Sequence, residues 1–145
     1  MYRRSASLEV LIAHPGGPFW QGRDDGAWSI PKGLLQPDEE PLAGARREFH
    51  EETGILPPDD GYISLGSVIQ GSGKTVYAWG IEGDADITAL VSNTFKIDWP
   101  PGSGTETEFP EMDRFLWARP EVAKVKLNRA QRAFVTRLSA DINPT

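Results

Sequence analysis

An α/β sandwich is the fold class this sequence predicts, and three observations predict it. Short apolar or alternating runs of strand length recur along the chain. One strongly periodic helix, marked at both ends, lies between them, and a second helical pattern follows the last of them. Mixed strands with a few helices pack in layers around a shared core. A length of 145 residues suits one domain over 1–145, and a chain of that size buries roughly 68–70% of its unfolded surface without a disulfide or metal staple.

Residues 7–13 read Ser-Leu-Glu-Val-Leu-Ile-Ala, a strand that ends almost wholly apolar and is therefore buried on both faces. A long loop over 14–26 carries Pro-Gly-Gly-Pro and then Phe19-Trp20. A short strand over 27–30 stops at Pro31, which has no N–H to offer a ladder. The spacing predicts a helix over 41–53, with Pro41 at its first position and Gly54 as its C-terminal cap. After a turn at 57–61, strands over 62–70 and 75–81 form a hairpin through the linker 71–74. Residues 82–93 read as loop with room for one helical turn, 94–99 as a strand, and 100–110 as a loop rich in Pro, Gly, Ser, Thr and Glu. A strand over 113–117 precedes a short helical segment begun by Pro120. Asn128 then caps a last helix to about 141, with Ala130, Phe134, Val135 and Leu138 on one face.

Charge and composition exclude several functions. Fifteen Lys+Arg against 21 Asp+Glu give a net charge of −6, which opposes a broad duplex nucleic-acid footprint or a polybasic membrane patch. No segment approaches the roughly 20 apolar residues of a membrane span. Arg3-Arg4 is not followed by the apolar core of an export signal. The absence of cysteine removes disulfides, thiolate zinc sites and a cysteine nucleophile, and fits a reducing, cytoplasmic location. An acidic protein with an anionic substrate must offset repulsion locally, and divalent metal ions are the usual means.

The helix over 41–53 carries the chemistry. At about 100° per residue, Leu42, Ala45 and Phe49 cluster on one side and Glu48, Glu51 and Glu52 on the neighbouring side. Glu48 and Glu52 are one turn apart, where like charges destabilise a helix by a few tenths of a kcal/mol. A Glu/Arg-rich face is ordinarily just solvated, but three acids converging beside an apolar face suggest a counter-ion. Hard oxygen donors select Mg²⁺, Mn²⁺ or Ca²⁺. Arg47 can pair with Glu51 one turn on, or reach back to Glu39.

The spacing of the whole stretch decides between these readings. Gly33, Glu39, Arg47, Glu48, Phe49, Glu51, Glu52, Gly54 and Ile55 fill every fixed position of the Nudix box, G-x5-E-x7-R-E-U-x-E-E-x-G-U, with U an apolar residue. Phe49 stands where an aliphatic residue is usual. With average residue usage, a chance match is on the order of 10⁻⁹ per window. The chain resembles a Nudix hydrolase over the box, 33–55, and in element order over nearly its whole length.

The resemblance implies a Nudix-type α/β/α sandwich with a mixed central sheet, and hydrolysis of a nucleoside diphosphate linked to another moiety. It implies Mg²⁺ or Mn²⁺ held by Glu48 and Glu52, with Glu51 as a further ligand or the water-activating base, and the Lys32 carbonyl in the metal shell. Arg47 would orient the acids through Glu39, while Gly33 and Gly54 would be structural. The family places its base on this helix or on a distant loop, so Glu106, Glu108 and Glu111 are candidates for an extra acid.

Trp28-Ser29-Ile30-Pro31-Lys32-Gly33 resembles the Trp-x-x-Pro-Lys-Gly run of diadenosine polyphosphate hydrolases, and would bring the Lys32 ammonium near a phosphate. Phe19, Trp20 and Trp99 lie in or beside loops where a base could stack, whereas Trp28, Trp79 and Trp117 read as core. Gly71-Ser72-Gly73-Lys74-Thr75 is not a phosphate-binding loop, because Val68 replaces the required first glycine and strands flank it. His14 and His50 are too far apart for a local metal pair. The leading expectation is a metal-dependent pyrophosphohydrolase of a diadenosine polyphosphate, acting on a small nucleotide as monomer or homodimer. A nucleoside triphosphate pyrophosphatase and an inert nucleotide-binding module are the alternatives.

Overall fold

A computed structural model describes residues 1–32 and 36–143. Gly33, the first box residue, lies outside the described residues. Among the described residues, seven strands and three α-helices follow in the order β1 (Tyr2–Arg4), β2 (Leu8–Pro15), α1 (Pro41–Thr53), β3 (Ile63–Ile69), β4 (Thr75–Gly80), β5 (Thr94–Asp98), β6 (Glu106–Pro110), β7 (Met112–Ala118), α2 (Pro120–Lys126) and α3 (Arg132–Ile142).

The strands form three antiparallel groups, β1-β2-β7, β3-β4 and β5-β6. The parallel pairing expected of a mixed sheet is confined, among the described residues, to single bridges between Tyr2 and Glu82 and between Trp28 and Leu127.

β2 organises the layers. Its Val10, Leu11, Ile12 and Ala13 are all buried, as the apolar run predicts. Val10 and Ile12 pack with Ala123 and Leu127 at α2 and with Phe134, Val135 and Leu138 of α3. Leu11 faces the other way, toward Phe49 of α1 and Trp117 of β7. Alternate side chains of one strand thus bury against helices on opposite faces, which is the α/β/α sandwich in its smallest form.

α1 matches its predicted bounds because both ends are written locally. Glu40 caps it, accepting from Leu42 N (3.2 Å) and Ala43 N (2.9 Å). Pro41 takes the first position, and Gly54 ends the helix at φ 78° with its N–H on the His50 carbonyl.

Three differences from the sequence reading have physical causes. The strand expected over 27–30 is reduced to bridges at Trp28 and Ser29, since the chain leaves the ladder before Pro31. Residues 106–110, expected within a loop, are β6: Phe109 and Thr107 pair across β5 with Phe95 and Ile97, and pairing outweighs a composition poor in strand formers. The last helix is split, Asn128 capping a 3₁₀ turn over Arg129–Gln131 before α3 begins. β1 had no signal of its own, being three residues paired to β2. Trp28 and Trp117 are buried as expected. Among the described residues, no helix is long and apolar enough to cross a membrane.

Candidate active site

The acid face of α1 is organised by Arg47. Its guanidinium forms a fork on Glu39, Nε to Oε2 at 2.7 Å and Nη2 to Oε1 at 3.0 Å. Nη1 also meets Glu48 Oε1 at 2.8 Å and the two Glu51 oxygens at 3.1 and 3.0 Å. Both pairings foreseen for Arg47 are therefore made at once. Hydrogen bonding from Arg47, with the Gln36 N–H, holds the Glu39 carboxyl down at about 2. The planar, permanently charged guanidinium suits this bidentate role.

Glu52 is the buried member of the set, 3% exposed, and its Oε2 accepts the Lys32 backbone N–H at 3.0 Å. Burial pushes its carboxyl up to about 8, the Lys32 N–H opposes, and the charges of Glu111 and Glu48 add to the rise. Glu111 is likewise raised, first by burial and then by Glu48 and Glu51. Of the three later acids, the structure thus brings Glu111 to the box and not Glu106 or Glu108. The cause is backbone geometry. Asn93 N donates to the Glu51 carbonyl (2.8 Å), Glu111 N donates to the Asn93 carbonyl (2.8 Å), and Gly16 N donates to the Glu111 carbonyl (2.9 Å). Glu106 and Glu108 are exposed on β6, opposite Asp98 and Lys96. Strand rise puts Glu108 about 10 Å back along the chain from Glu111, and Glu106 farther still.

The donor chemistry fits a divalent cation. Glu48, Glu51, Glu52 and Glu111 share a region where burial first, and then the charge of neighbouring acids, raises Glu52 and Glu111, so negative charge is in excess there. Among the described residues, no three His, Asp or Glu side chains stand together as a metal cage. Mg²⁺ is usually bound through one or two carboxylates and keeps its remaining waters, so a full cage of protein ligands is not required for the acids to fit such an ion.

An apolar cavity of about 450 Å³ opens beside these acids. α1 contributes Leu42 and Phe49, β4 contributes Val76 and Trp79, and Lys32 and Glu48 line it too. Lys74 and Arg46 also border it. The sequence reading gave Lys74 only to a turn and Trp79 only to the core, so it missed both. Alternation along β4 is the signal that could have found Trp79.

Phe19, Trp20 and Trp99 lie elsewhere. Phe19 and Trp99 meet edge to face with centroids 5.6 Å apart. The Trp20 ring carries the Arg23 guanidinium at 5.7 Å. The loop holding Phe19 and Trp20 is fixed by buried His14, which bridges the Asp113 carboxylate (2.7 Å) and the Arg23 carbonyl (2.6 Å). At its start, Gly17 packs so closely on Phe95 that a Cβ would stand 2.7 Å from the ring. The aromatic residues form an exposed patch with the β5–β6 hairpin.

Known proteins are similar to this chain in sequence and in fold. The NUDIX domain model matches residues 3–138. The chain is 31% identical over 139 residues to the RNA pyrophosphohydrolase of Agrobacterium fabrum, covering 77% of this chain and 76% of that one. The RNA pyrophosphohydrolase of Brucella anthropi is 32% identical over 143 residues, covering 80% and 75%. The fold is similar to that of a Caenorhabditis elegans Ap4A hydrolase binary complex, with TM-score 0.66, 19% identity and coverage of 97% and 92%. It is equally similar to the NUDIX domain of Shewanella oneidensis NrtR complexed with ADP ribose, with TM-score 0.66, 16% identity and coverage of 98% and 83%. A layered fold carrying the box acids on its first helix defines a Nudix domain, and the chain belongs to that family. It is a Nudix pyrophosphohydrolase, an enzyme acting on acid anhydrides.

Proposed function

We propose that residues 1–145 act as one Nudix unit that hydrolyses a dinucleoside polyphosphate, with a divalent cation, Mg²⁺ or Mn²⁺, at Glu48 and Glu52. The observation that carries this reading is buried Glu52, held by the Lys32 N–H and facing Glu48 and Glu111 beside an apolar cavity. A cation bound there supplies charge neutralisation of the diphosphate oxygens and makes the attacking water more acidic.

The chain's own residues do the rest. The cavity takes one nucleoside between α1 and β4, directing its phosphates to Lys32 and the acids. The Lys32 ammonium pairs with a phosphate oxygen. Glu51 or Glu111 accepts the proton of the attacking water. The new P–O bond forms as the anhydride P–O bond breaks, and the leaving phosphate departs as an anion. Arg47 positions Glu48 and Glu51 through Glu39. The patch of Phe19, Trp20 and Trp99 is where a second base would stack, worth roughly 1–3 kcal/mol per base.

A second reading is favoured by the relatives named RNA pyrophosphohydrolase: a 5′-triphosphorylated RNA, whose first nucleoside would occupy the same cavity. The acidic balance of −6 favours the smaller substrate.

Product analysis tests these readings. The protein is incubated with Mg²⁺ and diadenosine tetraphosphate, a 5′-triphosphorylated RNA oligonucleotide, nucleoside triphosphates, ADP-ribose and nucleotide sugars, and products are separated by anion exchange. ATP plus AMP from diadenosine tetraphosphate, abolished by EDTA and by Glu52→Gln, is the expected result. Release of pyrophosphate from the RNA alone would move the substrate to the second reading. Turnover of none would place the susceptible anhydride outside this panel and overturn both substrate readings.

A further inference from the structure

The segment entering the box is held by a residue far away in sequence. Backbone pairing fixes it as far as Ser29, whose N–H and C=O both bond Ala13 at 2.8 Å. Pro31 has no N–H. The next main-chain donor, Lys32 N–H, already bonds Glu52. Between ladder and carboxylate the only other main-chain donor is Ile30 N–H, and it donates to Gln131 Oε1 at 2.9 Å.

Gln131 closes the 3₁₀ turn before α3 and is 1% exposed. Its amide orientation follows from its partners. Oε1 must face the Ile30 donor, and Nε2 then donates to Ser29 Oγ (3.1 Å) and Gln70 Oε1 (3.0 Å). Gln70 ends the β3–β4 hairpin, where its N–H bonds the carbonyl of Lys74, a residue of the cavity wall. One buried amide therefore ties α3 to both segments flanking the cavity.

We propose that Gln131 is a positioning residue for the reaction: it fixes the strap of Ser29 to Lys32, so that the Lys32 amide holds the Glu52 carboxylate in place. The proposal rests on the reading, given above, of Glu52 as a carboxylate that holds the divalent cation. Without Gln131, among the described residues, the strap's main-chain N–H groups are anchored at Ser29 and then only at Glu52 itself, so the acid holds the loop instead of being held. A buried amide lost to an apolar side chain also leaves the Ile30 N–H without its acceptor, a cost that falls on the strap first.

The test is residue-resolved amide hydrogen exchange on the nucleotide-free protein, joined to steady-state kinetics with diadenosine tetraphosphate and Mg²⁺. Gln131→Leu keeps the volume and removes the hydrogen bonds. The expected result is exchange at Ile30 and Lys32 faster by about tenfold or more, with Ala13 and Ser29 within about twofold, and kcat lower by about tenfold with KM little changed. Gln131→Glu keeps an oxygen for Ile30 N–H and loses the amide donor, so it should retain protection at Ile30 and Lys32 and most of kcat. If Gln131→Leu does not fold, Gln131→Asn, one methylene short of the strap, should give the same pattern. Unchanged exchange at Lys32, or equal loosening at Ala13, overturns the proposal. Faster exchange at Ile30 and Lys32 in a protein whose wild type leaves every nucleotide intact upholds the hold on the strap and overturns the substrate reading.

Discussion

The acid face of α1 and the β5–β6 hairpin both border Glu111, yet they are built in opposite ways. On α1, charged groups constrain one another: Arg47 is shared among Glu39, Glu48 and Glu51, and Glu52 is buried against a main-chain N–H. Among the described residues the hairpin's two strands pair only with each other, and its aromatic patch is open, with Phe19 64% exposed beside Trp99. A lone two-stranded hairpin is marginally stable by itself. The difference separates two jobs. In the reading proposed above, groups that meet a phosphorus atom at one geometry would sit on a capped helix, and groups that meet a variable moiety on the open hairpin side.

That division can be broken experimentally. The largest effect should come from Glu52→Gln, which keeps shape and hydrogen-bonding reach but removes the charge: turnover should fall about 10²–10⁴-fold with native circular dichroism. A variant retaining a tenth of the activity would remove Glu52 from the centre. Arg47→Lys keeps the charge but loses the fork, and should cost about 10–100-fold in kcat, with a higher Mg²⁺ requirement. Equal activity would mean that the web around Arg47 is only structural.

The third effect concerns stability and pH. Glu52 titrates at about 8 in the fold, chiefly through burial, and near about 4.3 in an unfolded chain. Between those values the folded protein holds the extra proton, so metal-free stability falls as pH rises from about 4.3 to about 8, then levels off. Urea melts in EDTA should show a loss of about 2 kcal/mol or more over that window, largely absent in Glu52→Gln. Glu39, held down at about 2 by Arg47, acts in the opposite sense and only as pH falls below the ordinary carboxylate range.

Smaller effects should come from the hairpin side. Phe19→Ala or Trp99→Ala should raise KM for diadenosine tetraphosphate about 5–20-fold, the lower part of the range of a lost stacking contact, with kcat unchanged and a weaker effect on ATP. Equal effects on both substrates would place the second base elsewhere. The smallest should be Glu108→Gln and Glu106→Gln, within about twofold in kcat/KM, as for exposed positions away from bound groups; a larger loss would undo the choice of Glu111.

The sequence revealed what is encoded locally. The bounds of α1 follow from Pro41 and Gly54, and the two-faced burial of β2 follows from its apolar run. Arg47 could be placed between Glu39 and Glu51 by helical reach alone. Glu111 could not be chosen over Glu106 and Glu108, because the choice depends on hydrogen bonds joining residues 16, 51, 93 and 111. β6 was hidden because its polar residues outnumber its strand formers and only pairing with β5 makes it a strand. Lys74 and Gln131 were invisible for the same reason: each meets its partners across a contact between distant segments.

The stem of the β5–β6 hairpin is closed by Asn93 and Glu111, whose backbones are fastened to the end of α1 and to Gly16. Everything beyond that fastening hangs from it as a detachable arm. Residues 95–109 can be shortened, lengthened or exchanged for another loop while Glu111 stays clamped beside the box. The arm's ties to the body include the contact of Phe95 with Gly17 and the edge-to-face pair of Trp99 with Phe19, so residues 17–19 and the arm must change together. A fold arranged in this way offers evolution, or an engineer, a socket for new substrates that leaves the hydrolytic machinery in place.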